Sequence, residues 1–311
     1  MANYLVTGGC GFIGSHLVDA LLDKGHGVRI LDDLSTGKLQ NAPKEAEVVI
    51  GDVVDAKLVA EAMRDMDGCF HLAAIASVQQ SMDNWIGTHC VNQTGAISVF
   101  DAARARGQIP ARPVVFASSA AIYGKPLILP VGETTEAAPL SPYGADKYGC
   151  ELHGSVAASA FAVPVTALRF FNVYGPRQDP NSPYSGVISI FARMISEGKP
   201  IKFFGDGTQS RDFIYVGDVV RHLLAAMNTM SADHPVFRRF NVCTGSSTTL
   251  LQLAHLLSEL TGKELQFSHE AAREGDIQHS LGDCALAQYE LETIAETSLR
   301  EGLRRLLADA A

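Results

Sequence analysis

The sequence predicts an α/β protein, with a doubly wound parallel sheet followed by a smaller α/β part. Over roughly the first 170 residues, short β-rich runs alternate with amphipathic helical patterns. Strands that alternate with helices form right-handed βαβ units, whose strands are parallel and covered by helices on both faces. After Gly175-Pro176, prolines become frequent and the elements become shorter. We therefore expect a first part at 1–175 and a second at 176–311, from which strands can return to the main sheet.

Short runs of β-branched and other apolar residues predict the strands of the first part. They lie at Tyr4–Val6, Val28–Leu31, Val48–Ile50, Cys69–Leu72, Val114–Phe116 and Val165–Phe171. Apolar residues at helical spacing predict the helices between and after these strands. The helices lie near 12–23, 56–66, 85–106, 143–161, 187–197, 216–229, 248–261 and 296–308.

The composition indicates a folded protein in a reducing compartment. Of 311 residues, 47% are hydrophobic and 19% are charged, which supplies a sizeable core and excludes intrinsic disorder. A net charge of −9 repels phosphate backbones and anionic membranes, so we expect neither nucleic acid nor a membrane as the main partner. Six cysteines without a C-x-x-C pair, and an N-terminus without a charged segment, favour a cytoplasmic protein lacking a signal peptide. No histidine lies in a ligand spacing, so no metal is expected.

A glycine-rich turn follows the first predicted strand. Gly8, Gly11 and Gly14 form a G-x-x-G-x-x-G pattern at the start of a helix. These glycines permit a tight turn, close approach of backbone N–H groups to a pyrophosphate, and close helix–strand packing. Asp32 ends the second strand, where a carboxylate accepts hydrogen bonds from an adenosine ribose and repels a 2′-phosphate. The sequence therefore predicts a Rossmann-like fold that binds NAD rather than NADP.

A tyrosine and a lysine follow at helical spacing. Tyr143 and Lys147 are four residues apart, so both lie on one face of a helix. The Lys147 ammonium and the positive charge of an oxidised nicotinamide favour the tyrosinate form, which can accept a proton. Ser118-Ser119 follow the fifth predicted strand, at the carboxyl end where parallel sheets bind ligands. We expect one of these hydroxyls to bridge a substrate oxygen and Tyr143.

Together with further segments, these motifs resemble the extended short-chain dehydrogenase/reductase family, and within it the nucleotide-sugar 4-epimerases. The resemblance extends over nearly the whole chain. Its matching segments are TGGCGFIG, LDDLSTGK, HLAA at 71–74, FASSAAIYG at 116–124, SPYGADKYGCE at 141–151, RFFNVYGPRQ at 169–178, FFGDGTQSRDFIYVGDV at 203–219 and REGDIQHS at 273–280.

The resemblance implies a catalytic role for Tyr143 as base and for Lys147 as the group that tunes it and holds the nicotinamide ribose. Ser119 is implied as the proton relay in preference to Ser118, because it lies four residues before Tyr123. The implied cofactor contacts are Gly8, Gly11, Phe12, Ile13, Gly14, Asp32, Asp33, Ser35, Thr36, Gly37, Asp52, Val53, Leu72, Ala73, Ala74, Asn92, Tyr143, Lys147 and Phe170. The implied substrate contacts are Ser119, Tyr143, Asn172, Val187, Phe203, Arg211, Arg273, Asp276 and Ser280.

Within these sets, Phe170 would face the nicotinamide and Phe203 the uracil. The diphosphate of a UDP-sugar would be held by Asn172, Arg211 and Arg273, and the uridine ribose by Asp276. Arginine suits a diphosphate because its guanidinium makes forked, charge-assisted contacts with phosphate oxygens. Asp52 and Val53 follow the third strand, where contact with the adenine and an ordinary strand-end position are both open.

Comparison with similar enzymes favours an epimerase. Related dehydratases carry an acid pair after the serine or threonine, where this chain has Ala120 and Ala121. Acid–base chemistry beyond Tyr143 therefore has no agent, and the expected reaction is a reversible oxidation at C4 with retained NAD. Members restricted to non-acetylated sugars resemble one another in carrying tyrosine at the position of Ser280. The serine leaves room for an N-acetyl group, which predicts UDP-GlcNAc/UDP-GalNAc interconversion, with UDP-Glc/UDP-Gal as a further pair.

Other interpretations remain open from the sequence. Ser280 is also compatible with an ordinary loop hydroxyl, and the enzyme would then act on UDP-Glc and UDP-Gal only. A non-catalytic NAD-binding sensor or scaffold on the same fold is an alternative, and so is a dehydrogenase with freely exchanging NAD. The resemblance also implies a homodimer formed by the helix at 85–106 and the helix from Tyr143, although an apolar stripe there is equally a core face.

Overall fold

The computed structural model describes residues 1–179, 186–231, 234–272 and 277–309. The strands are β1 Asn3–Thr7, β2 Gly27–Asp32, β3 Glu47–Ile50, β4 Gly68–His71, β5 Val114–Ser119, β6 Val165–Phe170, β7 Asn172–Tyr174, β8 Ile201–Phe204, β9 Ser210–Arg211, β10 Phe213–Tyr215, β11 Phe237–Val242, β12 Thr248–Thr249 and β13 Phe267–Glu270. The helices are α1 Phe12–Asp23, α2 Ala56–Ala62, α3 Val78–Asp83, α4 Trp85–His89, α5 Gly95–Ala102, α6 Pro142–Phe161, α7 Val187–Ser196, α8 Val216–Asn228, α9 Leu250–Thr261, α10 Ala285–Glu290 and α11 Leu299–Asp309.

Among the described residues, seven strands form one parallel sheet in the order β11-β6-β5-β4-β1-β2-β3. The two strands beside β1 are β2 and β4, so the loops that leave β1 and β4 run to opposite faces and open a crevice at their carboxyl ends. The fold class predicted from the alternating pattern, a doubly wound parallel sheet, is confirmed.

Helices cover both faces of the sheet because its strands are apolar on both sides. On one face α1 and α8 pack through Leu17 and Leu223 against strand residues such as Val115. On the other face α2, α5 and α6 pack through residues such as Val99 and Ala157. The helix α6 thereby lies across β5 and β6, which brings its first turns to the crevice.

The C-terminal part has its own apolar cluster and also completes the sheet. Around Phe203, the helices α7, α9 and α11 contribute Phe191, Leu253 and Leu303 to a third buried cluster. The strand β11 leaves this part and pairs in parallel with β6 along its whole length. The sheet therefore contains a strand from beyond residue 230 next to one from the first part.

Four predicted helices differ from those in the structure by two residues or more. The helix at 56–66 ends at Ala62, and the helix at 296–308 begins at Leu299. The segment at 85–106 is divided into α4, a π-helical segment at Cys90–Thr94, and α5. The helix at 248–261 begins at Leu250, because Thr249 caps it and exchanges hydrogen bonds with Gln252 in a capping box.

No helix among the described residues is both long and apolar enough to cross a membrane. Within the same ranges, no group of three or more His, Cys, Asp or Glu side chains is placed to hold a metal ion.

Candidate active site

The turn between β1 and α1 depends on glycine at the positions predicted from the sequence. Gly8 has a φ of +71°, and a Cβ there would lie 2.7 Å from the amide nitrogen of Ala73 in the loop after β4. A Cβ on Gly14 would overlap the carbonyl oxygen of Gly8. Within the described ranges no side chain caps α1, whose N-cap residue is Gly11. The helix N-terminus is therefore open to an anion such as a pyrophosphate.

Asp32 lies at the carboxyl end of β2, beside this turn. Its carboxylate accepts hydrogen bonds from the backbone N–H groups of Cys10 and Leu34, each at 2.9 Å. Burial raises the pKa of the Asp32 carboxyl, and these two hydrogen bonds oppose the rise. The carboxylate lines the cavity described below, where it can accept hydrogen bonds from a ribose diol.

The side chain of Asn92 holds the loop that follows β4. In the π-helical segment, the Asn92 carboxamide accepts a hydrogen bond from the N–H of Ile75 at 2.8 Å and donates one to its carbonyl at 3.0 Å. Asn92 is 1% exposed and does not line the cavity. The resemblance implied that Asn92 contacts the cofactor, whereas in this structure its side chain holds the loop that contributes Leu72, Ala73 and Ala74 to the cavity.

The same loop is held from β1 by Thr7. Its hydroxyl accepts a hydrogen bond from the N–H of Ala73 at 3.3 Å and lies 2.7 Å from Nδ1 of His71. Burial, and to a lesser degree the charge of Lys147, lower the pKa of His71 to about 3. The imidazole is therefore neutral at pH 7 and forms an uncharged hydrogen bond with Thr7.

Tyr143 and Lys147 occupy the first turns of α6. Ser141 caps the helix by accepting the N–H of Gly144, and the N–H of Tyr143 donates to Oγ of Ser81 at 3.2 Å. The Lys147 ammonium donates to the carbonyl of Ala117 at 2.8 Å. Its nitrogen lies 5.9 Å from the centre of the Tyr143 ring. The two side chains thus face the carboxyl end of β5, as the four-residue spacing predicts.

The two adjacent serines have different surroundings. The Ser118 hydroxyl donates to the buried carboxylate of Glu151 at 2.6 Å. The Ser119 hydroxyl accepts the N–H of Ala121 at 3.1 Å, and its lone proton is free to point toward a ligand in the cavity. This arrangement favours Ser119 as the residue that contacts a substrate.

These elements surround one cavity of about 780 Å³. The residues predicted to bind cofactor or substrate and found in its lining are Gly8, Gly11, Phe12, Ile13, Gly14, Asp32, Asp33, Ser35, Thr36, Gly37, Val53, Leu72, Ala73, Ala74, Ser118, Ser119, Tyr143, Lys147, Phe170, Asn172, Arg211 and Ser280. An open glycine turn, the Asp32 carboxylate and a cavity that reaches Tyr143 fit a dinucleotide together with a second ligand.

Other predicted residues lie elsewhere. Phe203 is fully buried and packs edge-on against Phe191 and stacked on His269, so its ring is part of the C-terminal core in this structure. Asp52 is exposed and accepts the N–H of Val54, outside the cavity lining. Val187 begins α7 and packs against the C-terminal cluster. The predicted contacts Arg273 and Asp276 lie outside the described residues.

Three of the predicted diphosphate and sugar contacts line the same cavity: Asn172, Arg211 and Ser280. Asn172 begins β7, and its N–H donates to the carbonyl of Asp212. The side chain of Arg211 donates to the carbonyl of Ser210, and the N–H of Ser280 donates to the same carbonyl oxygen. A two-strand contact between β9 and the segment at 277–280 therefore positions both Arg211 and Ser280.

The cavity wall also contains residues that the sequence analysis did not single out. Gln80, Leu129, Val131 and Leu281 line it. Val131 donates its N–H to the carbonyl of Leu281 at 2.9 Å, which joins the loop after β5 to the segment that carries Ser280. This contact joins residues far apart in the chain, so no local pattern could have indicated it.

Comparisons with known proteins agree with this geometry. The family model described as NAD dependent epimerase/dehydratase matches residues 4–243. The chain is 36% identical over 310 residues to the UDP-glucose 4-epimerase of Mycolicibacterium smegmatis, covering 97% of this chain and 96% of that protein.

Two solved structures are similar over 99% of this chain and 98% of their own. One is the UDP-glucose 4-epimerase of Thermotoga maritima with UDP-glucose, at 36% identity and a TM-score of 0.92. The other is the UDP-N-acetylglucosamine 4-epimerase of Methanobrevibacter ruminantium with UDP-N-acetylmuramic acid, at 35% identity and a TM-score of 0.92.

Proposed function

The chain belongs to the NAD dependent epimerase/dehydratase family and is an enzyme that uses NAD, and from this premise we propose that it is a 4-epimerase of UDP-linked hexoses. One observation carries the proposal: a single cavity is lined both by the glycine turn and by Ser119, Tyr143 and Lys147. A nucleotide-sugar and a dinucleotide can therefore meet beside a group able to move a proton.

Tyr143 is the proposed acid and base. In the proposed cycle Tyr143 takes the proton from the sugar 4-hydroxyl, with the Lys147 ammonium nitrogen 5.9 Å from the centre of its ring. Ser119 hydrogen-bonds the same oxygen and holds it in line with the phenol. NAD, held at the glycine turn and by Asp32, would supply a reversible exchange of hydride with C4 of the sugar. Tyr143 then gives the proton back, so the cycle consumes no cofactor.

Epimerisation requires a firmly held nucleotide and a sugar that is free to turn. Asn172 and Arg211 line the cavity and are the proposed diphosphate contacts, together with Arg273. Asp276 is the proposed contact of the uridine ribose. A guanidinium binds phosphate oxygens through parallel charge-assisted hydrogen bonds. Holding the substrate by its nucleotide leaves the hexose to rotate about the diphosphate link.

The residues after Ser119 favour epimerisation over dehydration. Ala120 and Ala121 occupy the short 3₁₀ helix that follows β5, and both line the cavity. Removing water from the sugar needs a second acid–base group next to the reacting carbons. Two methyl groups cannot supply it, so the proposed acid–base chemistry is confined to Tyr143 and the C4 oxygen.

Within the UDP-hexoses we propose UDP-GlcNAc and UDP-GalNAc as substrates, with UDP-Glc and UDP-Gal as a second pair. The supporting observation is Ser280, a small side chain in the cavity wall. The similar structure from Methanobrevibacter ruminantium is named as a UDP-N-acetylglucosamine 4-epimerase, and the one from Thermotoga maritima as a UDP-glucose 4-epimerase. The alternative is an enzyme specific for the plain sugars.

The proposal is tested by incubating the purified protein with UDP-GlcNAc and, separately, with UDP-Glc, without added NAD. The anomeric signals of the sugars are followed by NMR. We expect UDP-GalNAc to appear, and Tyr143→Phe to abolish its formation. Conversion of UDP-Glc alone would support the epimerase but refute the acetylated substrate. Failure of both substrates, even with NAD supplied, would refute the 4-epimerase proposal.

We also propose that the protein forms a homodimer through α4 and α6. Trp85 and Ile86 on α4 are 65% and 79% exposed, and Leu152 and Val156 lie one turn apart on the exposed side of α6. A second copy of this surface would bury these apolar side chains in a helix–helix contact. Light scattering after size exclusion should give twice the chain mass, and Ile86→Glu should give the mass of one chain.

A further inference from the structure

A row of buried polar residues crosses three neighbouring strands next to the active site. Ser118 on β5 pairs in register with Arg169 on β6, and Arg169 pairs with Asn241 on β11. All three side chains are at most 2% exposed. Side chains alternate between the two faces of a sheet along each strand. Val115 on β5 and Leu168 on β6 lie an odd number of positions from Ser118 and Arg169, and they pack on the face covered by α1 and α8. The row therefore lies on the face that α6 covers.

Glu151 of α6 binds two members of this row. Its carboxylate accepts both Nε and Nη2 of Arg169, at 2.9 and 2.6 Å, in a forked ion pair. One of the same carboxylate oxygens accepts the Ser118 hydroxyl at 2.6 Å. Glu151 is 2% exposed, so these contacts form away from water. One helix residue is thus bonded to the ends of two adjacent strands.

The polar groups at the other end of the row also have hydrogen-bond partners. Nη1 of Arg169 donates to the Tyr123 hydroxyl at 2.9 Å, and that hydroxyl donates to Oδ1 of Asn241 at 2.6 Å. Burial raises the pKa of Tyr123 to about 12, which keeps the phenol protonated for this second bond. The N–H of Asn241 donates to the Glu133 carboxylate at 2.7 Å. The network therefore fixes every member in one geometry.

The network touches the proposed catalytic residues only through their neighbours. Glu151 follows Lys147 by one helical turn and Tyr143 by two, so all three share a face of α6. Ser118 precedes Ser119 on β5, and Arg169 precedes Phe170 on β6. A rotation of α6, or a shift of the end of β5, would break the bonds of Glu151.

Stability alone does not account for such a group. A buried ion pair gains little over well-packed apolar residues, because removing two charges from water offsets their attraction. Directional bonds do limit motion, and catalytic groups must be held within about 0.5 Å of their productive positions. Ser118 is also one of two adjacent hydroxyls, and its bond to Glu151 leaves only Ser119 for a ligand.

We propose that Glu151 is a positioning residue, which through Ser118 and Arg169 sets the placement of Ser119 relative to Tyr143 and Lys147. The proposal rests on the proposed 4-epimerase function. Its expectation is a loss in turnover by the NAD-loaded enzyme, with KM for the UDP-sugar unchanged. The proposed diphosphate contacts Asn172 and Arg211 lie on β7 and β9, outside the strands that carry this network, so we expect substrate affinity to be unchanged.

The test compares Ser118→Ala and Glu151→Gln with wild type. Ser118→Ala keeps the ion pair and removes only the bond to β5. Ser98→Ala is the matched control, because Ser98 is a buried serine on α5 bonded to its own helix. For each protein we would measure bound NAD, the melting temperature, and kcat and KM with UDP-GlcNAc and UDP-Glc, with kcat expressed per bound NAD. Misplacement by a fraction of an ångström predicts a kcat lowered roughly 10-fold in Ser118→Ala and about 100-fold in Glu151→Gln.

If Glu151→Gln does not fold, Ser118→Ala decides alone. A kcat for Ser118→Ala equal to that of the control would overturn the proposal and leave the epimerase assignment intact. A loss of melting temperature with unchanged kcat per bound NAD would overturn it too, since that pattern is purely structural. A wild-type protein that converts neither UDP-sugar would refute the function itself, and the positioning role with it.

Discussion

The Lys147 ammonium group donates a 2.8 Å hydrogen bond to the carbonyl oxygen of Ala117, two residues before Ser119. Lys147 is 5% exposed, so its ammonium group is almost completely shielded from water, and the Ala117 carbonyl supplies an acceptor in place of water. The same bond connects α6 to the end of β5 that borders the cavity. Lys147 therefore has a fixed position from which its charge acts on the neighbouring Tyr143.

Lys147→Met should lower kcat by ~10²–10³-fold, because it removes the positive charge beside the proposed acid–base group and the hydrogen bond that joins α6 to β5. The variant also leaves the Ala117 carbonyl without its donor, which lowers the melting temperature. Turnover of UDP-GlcNAc or UDP-Glc at saturating concentration measures the effect. Lys57→Met, at an exposed position on α2, is the control and should match wild type. A wild-type kcat in Lys147→Met would show that Lys147 has no part in the proposed mechanism.

Asn92→Ala should weaken NAD binding. The variant deletes two hydrogen bonds to Ile75, and a loss of about 1.4 kcal/mol corresponds to a tenfold higher Kd. Calorimetric titration of NAD into protein stripped of cofactor measures the Kd directly. Asn84→Ala, which removes only the exposed N-cap of α4, should leave it unchanged. Equal Kd values for the two variants would show that the loop keeps its shape without Asn92.

Gly14→Ala should disturb both the fold and NAD binding. The new methyl group overlaps the carbonyl oxygen of Gly8, so α1 and the turn must separate. We expect the free energy of unfolding to fall by about 1–3 kcal/mol, as in other overpacked sites, and NAD retention to be lost. Denaturant unfolding and the absorbance of released cofactor measure the two effects. Gly132→Ala is the control, because a Cβ there meets nothing within 4 Å.

His71→Asn should make the protein less sensitive to acid. The folded-state pKa of His71 is about 3 against an ordinary 6.5, so between these values the unfolded chain binds a proton that the folded chain does not. Stability therefore falls as pH decreases through this range, by up to about 1.4 kcal/mol per pH unit for one proton. Asparagine can bond to Thr7 but carries no charge.

Denaturant unfolding of wild type and His71→Asn, from about pH 7 to about pH 5, gives the two slopes. The variant should lose less free energy of unfolding over this range than wild type. His255→Asn, at an exposed position on α9, controls for removal of a histidine as such. Parallel curves for wild type and His71→Asn would mean that His71 is protonated in the folded protein.

Ser280→Tyr should shift the substrate preference toward the plain sugars. A phenol ring in the cavity wall takes the volume proposed for the N-acetyl group, and a pocket contact of this size changes discrimination roughly 10–200-fold. The ratio of kcat/KM for UDP-GlcNAc to that for UDP-Glc should fall by such a factor. Ser280→Ala keeps the space and should preserve the ratio. An unchanged ratio in Ser280→Tyr would show that Ser280 does not determine the substrate preference.

The sequence predicted the parts of the fold that local pattern determines. Apolar runs indicated β1 to β6, and the glycine spacing indicated the turn that precedes α1. The four-residue spacing placed Tyr143 and Lys147 on one helix face because that relation is built into the helix itself. Each of these inferences depends on residues close together in the chain.

Features that depend on distant residues were not predictable in the same way. The sequence of residues 237–242 does not indicate that they pair with β6, because strand pairing depends on which edge of the sheet is available in the folded protein. The bond between Ser118 and Glu151 joins residues 33 apart, and it places Ser118, in contrast to Ser119, against a buried carboxylate. Phe203 was assigned to a ligand because of its motif, yet its ring fills the C-terminal core.

The return of β11 to the sheet also bears on how the chain can be divided. A fragment that stopped after β7 would leave the whole length of β6 as a bare strand edge, with its N–H and C=O groups open to other chains. It would also lack Asn241, and with it one partner of the Tyr123 hydroxyl. Such a fragment should aggregate by edge pairing rather than fold as an autonomous cofactor-binding module. We therefore expect the residues up to β7 to depend on β11 for a closed sheet edge, and a shorter fragment to need that strand in order to stay monomeric.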